Sequence, residues 1–302
     1  MNNYLENQCE ICGSESFDPK FIAYDRNNKT TGQIFKIMEC KGCGVNQTLP
    51  LPDLAELSQY YPLPYYPTGY VSEKYYQSHI ARFQLAKIKI IQAFAQTGRL
   101  LDIGCGVGHF IRTALNQGYK AECVEFSETA AAVGRERWNL QIVSGDFLSS
   151  QFMPESFDII TLWQVFEHLR EPRSVLCKIY KLLKPNGLLV IAVPNFASVQ
   201  ARVFRNRWYH LDVPRHLFHY SPESLVKILD TCNLHVDKID HRSPEHNYAG
   251  ILGSLMRLSP PGESFIHKLI ERTIATYFAR LLATLETSCR RGGTFTVVAR
   301  KY

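Results

Sequence analysis

Leu100-Leu101-Asp102-Ile103-Gly104-Cys105-Gly106-Val107-Gly108-His109-Phe110 reads as a short buried strand that runs into three glycines at alternate positions and then into a helix. An acid inside an apolar run, followed by glycines where the backbone turns tightly and lets a ligand approach, is how a doubly wound sheet builds a nucleoside pocket at its first strand. Spacing narrows the choice. A dinucleotide fingerprint requires GxGxxG, and its third glycine position holds His109; a Walker loop requires a GK[ST] ending, and none follows. The loop is a glycine turn without phosphate machinery.

The carboxylates downstream sharpen this reading. Residues 121–126 form a second predicted strand ending at Glu125, 17 residues past Gly108, where an acid accepts hydrogen bonds from both ribose hydroxyls. Asp146 closes a third, at 142–147, and its carboxylate beside the Phe147 ring suits an exocyclic amine and a flat base together, as adenine offers. A fourth, at 157–163, runs into Glu167-His168, and a fifth, at 188–193, follows the turn Lys184-Pro185-Asn186-Gly187. Strands at 234–241 and 294–301 complete seven.

In this order the set Asp102/Gly104/Gly106/Gly108, Glu125, Asp146, the 157–169 segment and Leu183-Lys184-Pro185-Asn186-Gly187 resembles the class I S-adenosylmethionine-dependent methyltransferases, over residues 80–243 with the returning strand at 294–301. The resemblance implies an α/β fold with a doubly wound, seven-stranded Rossmann-like methyltransferase sheet. It also implies S-adenosylmethionine as cofactor, bound by Asp102, Gly104, Gly106, Gly108, Glu125, Phe126, Asp146, Phe147 and Trp163. The chain departs from the minimal family pattern between its sixth and seventh strands, where about fifty residues intervene.

With 302 residues the chain suits one large or two modest domains. Its 45% hydrophobic and 21% charged content is that of an ordinary soluble protein. The first residues lack a basic and apolar signal, and no apolar run is long enough to span a bilayer, so a cytoplasmic location and no transmembrane segment are expected. The net charge of +6 admits an anionic partner, yet the basic residues are dispersed except near Arg202-Arg205-Arg207 and Arg290-Arg291.

Of nine cysteines, four fall in two CxxCG turns, Cys9/Cys12 and Cys40/Cys43, with 27 residues between them. In a reducing compartment paired knuckles of this kind bind one structural Zn(2+) tetrahedrally, and the glycine after each second cysteine lets the turn fold back. Residues 1–48 therefore read as a small zinc ribbon, with a strand at 33–38, too small to fold without its metal. Residues 49–98 follow as a Pro/Tyr-rich connector, including Tyr60-Tyr61-Pro62-Leu63-Pro64-Tyr65-Tyr66-Pro67, and a leading amphipathic helix at 72–96. The core then fills 99–302, with a helical insertion at about 244–292 before the last strand. Inside it Phe265, Ile266, Leu269, Ile270, Ile274, Tyr277, Phe278, Leu281, Leu282 and Leu285 recur at helical spacing, with Glu271 and Glu286 on the polar face. This stripe at 265–285 is expected to serve as core or as a surface for a second copy (a homodimer), or, less favoured, for peripheral membrane contact.

Because a sulfonium is already an activated methyl donor, the protein mainly aligns donor and acceptor and removes a proton where the acceptor holds one. His168, just past the fourth strand, and His216 are the candidate bases. The segment 207–220 places His210, Asp212, Arg215, His216 and His219 among Trp208, Tyr209 and Phe218. It reads as a lid, with Tyr209, His210, Arg215 and His219 contacting substrate and Arg215 meeting an anionic group.

The whole chain is also similar to bacterial methyltransferases that join a CxxCG ribbon to a YYP connector and a PRHLFHY-type loop. That resemblance implies methyl transfer to an oxygen of a small molecule, a saccharide, or a glycan- or lipid-linked intermediate. Two alternatives stand beside it. One is a zinc-ribbon RNA methyltransferase; the positive charge permits nucleic acid, but Lys20, Arg26, Lys29 and Lys36 are balanced by Glu15, Asp18, Asp25 and Glu39, which disfavours it. The other is a non-catalytic assembly or binding protein with a vestigial core.

Overall fold

The computed structural model of the chain describes residues 8–61, 76–257 and 265–302, with the backbone alone at 78, 79, 244, 245 and 265–274. Most of the Tyr/Pro connector, the first residues of the leading helix, and the side chains of Phe265, Ile266, Leu269, Ile270, Glu271 and Ile274 lie outside the described set. The chain forms two compact units. One comprises 1–62, 193–227 and 239–296, and the other 63–192, 228–238 and 297–302.

The first unit carries a four-stranded sheet. Strands β1 (Phe17–Tyr24), β2 (Ile34–Cys40) and β3 (Asn46–Leu49) pair antiparallel, and β3 takes the short β9 (Phe218–His219) as its outer neighbour. Alternation decides which face is covered: Phe35 and Ile37 of β2 are fully buried, against Ala23, Trp208, Leu211 and Val213. The expected ribbon strand at 33–38 is β2, shifted by one residue at its start and two at its end. A helix forms over Val199–Phe204, where the Ser198 hydroxyl accepts the Ala201 N–H at 3.1 Å.

The insertion is helical, as the periodicity predicts. It forms helices over Pro244–Met256 and Phe265–Ser288, which pack through Ile251, Ala279 and Ala283. The stripe splits, however. Leu282 packs inward, whereas Tyr277, Phe278, Leu281 and Leu285 are exposed. Glu286, expected on the polar face, is buried. Its carboxylate accepts the Gln200 backbone and side-chain N–H groups, both at 2.8 Å, and burial raises its pKa. Small residues face the partner helix because they allow its close approach, so the bulky apolar residues end up outside.

The second unit is built on the seven-stranded sheet. Strands β4 (Arg99–Ile103), β5 (Lys120–Glu125), β6 (Ile142–Ser144), β7 (Phe157–Trp163), β8 (Leu183–Pro194), β10 (Leu234–Asp240) and β11 (Thr294–Lys301) lie in the order β10-β11-β8-β7-β4-β5-β6. β4 pairs in parallel with β5 on one side and β7 on the other, so the winding reverses beside it. Ligands of open α/β sheets bind at that reversal, outside the carboxyl ends of the strands. Leu100, Ile159, Leu188, Val190 and Ile111 fill the core beneath.

Two boundaries differ from expectation. The leading helix runs over Ala81–Gln92 after a π-helical turn at Tyr76–Ile80, and so stops short of Gln96. The fifth strand begins at Leu183, five residues early, and absorbs the expected turn as a bulge. Phe157 pairs with Leu183 while Ile159 already pairs with Leu188. Asn186 takes up the extra length at φ +62°, and Lys184 anchors the kink through a 2.7 Å ion pair with Asp158.

Candidate functional site

The glycine loop leaves β4 at its carboxyl end. Gly104, Gly106 and Gly108 all have positive φ. At Gly104 a Cβ would lie 2.5 Å from Cγ2 of Val165, so glycine is required by packing as well as by φ +76°. At Gly106, φ +56°, a Cβ would meet nothing within 4 Å among the described residues. The glycine there keeps open a hollow that none of the described residues fills. The Glu125 carboxylate borders it, accepting the Gly106 N–H at 2.7 Å and the Ser127 N–H at 2.8 Å. Burial raises its pKa against the pull of those two N–H groups, and each oxygen keeps a second lone pair for a further donor.

Asp102 is buried behind the loop. Burial pushes its pKa up to about 7, although the Thr161 hydroxyl donates to it at 2.6 Å and Lys87 also lowers it. Asp146 is exposed after β6, and Phe147 beside it is buried. Lys178 braces that loop, with Nζ donating to the carbonyls of Leu148 (3.0 Å) and Ser150 (2.6 Å) and lying 4.7 Å from the Phe147 ring. Phe126 is largely exposed. Trp163 stands edge-on to Phe110 at 5.4 Å, and its indole N–H is buried with no hydrogen-bond partner among the described residues. His168 ends a short 3-10 turn, Phe166–His168, its backbone N–H held by the Val165 carbonyl at 2.9 Å. Sequence reasoning missed Thr161, Lys178 and Ser127. Thr161 had a signal: it is a polar residue in an apolar strand, and the β4–β7 register sets it opposite Asp102.

The first unit gathers the other predicted residues. The sulfurs of Cys9, Cys12, Cys40 and Cys43 all lie within 4.8 Å of one another, with Cys9–Cys43 at 3.7 Å and Cys12–Cys40 at 3.4 Å. Each knuckle turns back through a backbone bond, Gly13 N–H to the Cys9 carbonyl and Gly44 N–H to the Cys40 carbonyl, both 2.8 Å. The Cys43 thiol, and more weakly the N–H groups of Cys12 and Ile11, lower the Cys9 pKa to about 5 against the effect of burial.

In the 207–220 segment Arg215 is fully buried. It donates to Asp25 at 2.6 Å, to Asp212 at 2.7 Å and to the Tyr60 carbonyl at 3.1 Å. Burial opposes a charge on Asp25, but the bonds from Arg215 and Thr30 outweigh it and hold the carboxyl well below the usual range. His210 bonds the His246 carbonyl at 2.8 Å and His219 the Thr48 hydroxyl at 2.9 Å. Burial lowers their pKa values to about 4 and about 3, which keeps both rings neutral. His216 Nδ1 lies 2.8 Å from the His210 carbonyl, which fixes Nδ1 as the protonated nitrogen and Nε2 as the basic one. Tyr209 is partly exposed, with the Arg257 guanidinium 5.2 Å from its ring centre.

The sheet order and the glycine loop with its bordering acid define a nucleoside-binding α/β protein. A family model described as a methyltransferase domain matches residues 75–239, more than half of the chain, and the chain belongs to that family. Among curated proteins it is similar to the mitochondrial ubiquinone biosynthesis O-methyltransferase of Schizosaccharomyces pombe, 31% identical over 31% of this chain and 37% of that protein. It is also similar to the ubiquinone biosynthesis O-methyltransferase of Pasteurella multocida, 26% identical over 49% of this chain and 74% of that protein. The chain thus spans well under half of the yeast relative's length and about three quarters of the bacterial one's. Among solved structures the fold matches phosphoethanolamine N-methyltransferase 2 of Haemonchus contortus in complex with S-adenosyl-L-methionine. The TM-score is 0.55 at 17% identity, over 94% of this chain and 68% of that one. A SAM-dependent methyltransferase of Archaeoglobus fulgidus matches with a TM-score of 0.50 at 22% identity, over 75% of this chain and all of that one.

Proposed function

We propose that the chain is an S-adenosylmethionine-dependent methyltransferase acting on an oxygen of a small molecule. The hollow at Gly106, bordered by the Glu125 carboxylate, carries this reading: its chemistry is that of a ribose site, and nothing among the described residues fills it. The buried indole N–H of Trp163 at the end of β7, without a hydrogen-bond partner among the described residues, supports a ligand on the same sheet edge. S-adenosylmethionine, when bound, supplies a methyl group already activated on a sulfonium. Glu125 accepts hydrogen bonds from the ribose hydroxyls, Asp146 and Phe147 take the adenine amine and ring, and Asp102 and Thr161 set the loop from below. The names of the curated relatives favour a hydroxyl acceptor, and precursors of ubiquinone are one class to try. A saccharide or lipid-linked hydroxyl, implied by the ribbon-bearing relatives, is the second class.

For the base we assign His216, whose Nδ1 bond to the His210 carbonyl presents Nε2 as the proton acceptor; His168 is the other candidate. Tyr209, His210, Arg215 and His219 shape the acceptor side, and Arg215 does so through the carboxylates it holds rather than by direct contact.

The four cysteines fit structural zinc. A tetrahedron with Zn–S bonds of about 2.3 Å needs sulfurs roughly 3.8 Å apart, against the 3.7 and 3.4 Å found. Both distances far exceed a disulfide bond, and a tetrathiolate supports a reducing, cytoplasmic location. Among the described residues no helix is long and apolar enough to cross a membrane.

Titration calorimetry with S-adenosylmethionine tests the reading. The parent protein should bind, and Glu125→Ala should bind at least about tenfold more weakly, since a charged hydrogen-bond acceptor is lost. No binding by the folded parent defeats it. Labelled-methyl transfer to phenols, sugars and RNA then identifies the acceptor, and transfer to RNA alone would overturn the small-molecule assignment. His216→Gln should abolish transfer while leaving cofactor binding intact.

A further inference from the structure

The segment after β6 holds Asp146 and Phe147, and a lysine from a distant helix ties it down. Residues 146–150 make a single turn: the N–H groups of Ser149 and Ser150 donate to the Asp146 carbonyl at 3.2 and 3.1 Å, and that of Ser150 also to the Phe147 carbonyl at 3.2 Å. No further turn follows to take the carbonyls at its end. Lys178 takes them instead, with Nζ donating to the carbonyls of Phe147 at 2.5 Å, Leu148 at 3.0 Å and Ser150 at 2.6 Å. An ammonium carries three N–H groups and no acceptor, so three carbonyls match it, and a cation is the favourable charge at the carbonyl end of a turn.

The lysine is itself held from behind. Its helix, Pro172–Leu182, buries Val175, Leu176, Ile179 and Leu182, which leaves Lys178 on the flank of a packed element. The same Nζ lies 4.7 Å from the Phe147 ring centre, so one cation holds both the backbone and the ring of that residue. Burial pushes the Lys178 pKa down and the Asp146 carboxylate pulls it back up, so the two charges act on each other across the turn. Phe147 is buried and Asp146 is exposed. An exposed acid on a loose loop turns toward water; on a turn clamped at three carbonyls it keeps one setting relative to the ring beside it. That setting matters to a purine that lies on the ring and faces the acid with its edge. A 6-amino group donates to the carboxylate, whereas a 6-oxo group in its place sets two acceptors against each other.

We propose that Lys178 is a positioning residue that makes this subsite selective for a 6-amino purine over a 6-oxo purine, by fixing Asp146 against Phe147. The inference rests on the methyl-transfer reading, which places the adenine at these two residues. The parent should bind S-adenosylhomocysteine at least about tenfold more tightly than S-inosylhomocysteine, the lower end of the range for a hydrogen bond to a charged group. In Lys178→Met that ratio should fall to within about twofold, mainly through weaker binding of the adenine form.

Calorimetry of the full chain with both nucleosides, after thermal melting has shown each variant folded, carries the test. Lys181→Met, which removes an exposed lysine from the same helix, should keep the parent ratio. Asp146→Asn should reduce the ratio in the parent and change it little in the Lys178→Met background, because both substitutions remove the same oriented acceptor. Lys178→Arg keeps the charge and should keep part of the selectivity, and it takes the place of Lys178→Met if that variant fails to fold. A merely structural lysine would weaken both nucleosides alike and leave the ratio unchanged, and that result overturns the proposal, as does parent-like binding of both by Lys178→Met. A parent that binds neither nucleoside defeats the methyl-transfer reading and this inference with it, whereas a parent that binds both equally defeats the inference alone.

Discussion

Gly106→Ala should separate cofactor binding from folding. At φ +56° an alanine carries the left-handed backbone penalty of about 1–2 kcal/mol, while its Cβ meets no atom of the described residues within 4 Å. For a chain of this size that penalty lowers the melting temperature by only a few degrees, at about 2–4 °C per kcal/mol. The added methyl, however, stands in the hollow beside the Glu125 carboxylate, where it blocks a ligand from closing on the loop. A ribose pushed out of hydrogen-bond range of Glu125 loses about 1.5–3 kcal/mol, or roughly 10- to 100-fold in affinity.

Gly104→Ala is the contrast. It carries a similar backbone penalty, at φ +76°, and its Cβ would sit 2.5 Å and 2.8 Å from the two Val165 methyls. A β-branched side chain has little freedom to swing aside, so overpacking adds about 1–3 kcal/mol. Its melting point should fall two to three times as far, and Val165→Ala in the same chain should restore part of the loss. Thermal melting gives the stability and calorimetry with S-adenosylmethionine the affinity. If Gly106→Ala binds the cofactor within twofold of the parent, the hollow is not the ribose site and the assignment of the loop fails.

The buried acid under the loop makes stability depend on pH. Asp102 has a folded-state pKa near 7 against an ordinary 3.8, so the folded protein binds more protons than the unfolded chain between those values. Stability contributed by the neutral acid is complete below about pH 4 and falls as pH rises through 7, by on the order of 4 kcal/mol in all. Asp102→Asn should flatten that slope in urea titrations run from pH 4.5 to 8, and parallel profiles would refute the cause. Asp25→Ala strands the buried Arg215 with one carboxylate and should destabilise the protein by about 3–5 kcal/mol. The double variant Asp25→Ala/Arg215→Met should recover much of that in denaturant melts, and a double variant no better than the single would count against a charge penalty. Removing zinc with a strong chelator should expose four thiols to a chromogenic disulfide, and Cys40→Ser should lower the metal content below one ion per chain. Unchanged thiol reactivity after chelation would exclude a tetrathiolate site.

The core sheet was legible because its signals are local. A strand of apolar residues, a glycine turn and an acid at a strand end lie within a dozen residues of one another, and all seven predicted strands are found. The cysteine knuckles were legible for the same reason, since a two-residue gap sets both sulfurs of a pair on one side of a turn. What was not legible depends on partners far along the chain. Nothing near 218–219 indicates that this dipeptide extends the sheet of the N-terminal ribbon through β3. Helical spacing found the insertion helix but put its buried side wrong, because Ala279 and Ala283 look indifferent in sequence and Tyr277 and Leu281 look buried. Glu286 could not be read as buried without Gln200, 86 residues earlier, whose amide satisfies it.

The 207–220 segment shows how this limit bears on function. Five polar residues among aromatics read as a lid poised over substrate, since a solvated loop needs no such density. The same density also describes a buried polar knot, and the two differ only in where the partners lie. Arg215 finds Asp25 at a separation of 190 residues, and His219 finds Thr48 at 171. Once those pairs are drawn, the arginine that looked most available for an anion is already neutralised. The neighbouring Arg26 and Arg257 donate instead to the backbone carbonyls of Asn206, Arg207 and Trp208, partners that no local pattern had brought together. A buried ion pair contributes little net stability once desolvation is counted. Fixing the Asp25–Arg215–Asp212 arrangement nevertheless ties the end of β1 to the 207–220 segment. The Asp25→Ala melts bear on that link: recovery in the double variant with Arg215→Met marks the arginine as a structural charge held by its two carboxylates rather than a group kept free for an anion.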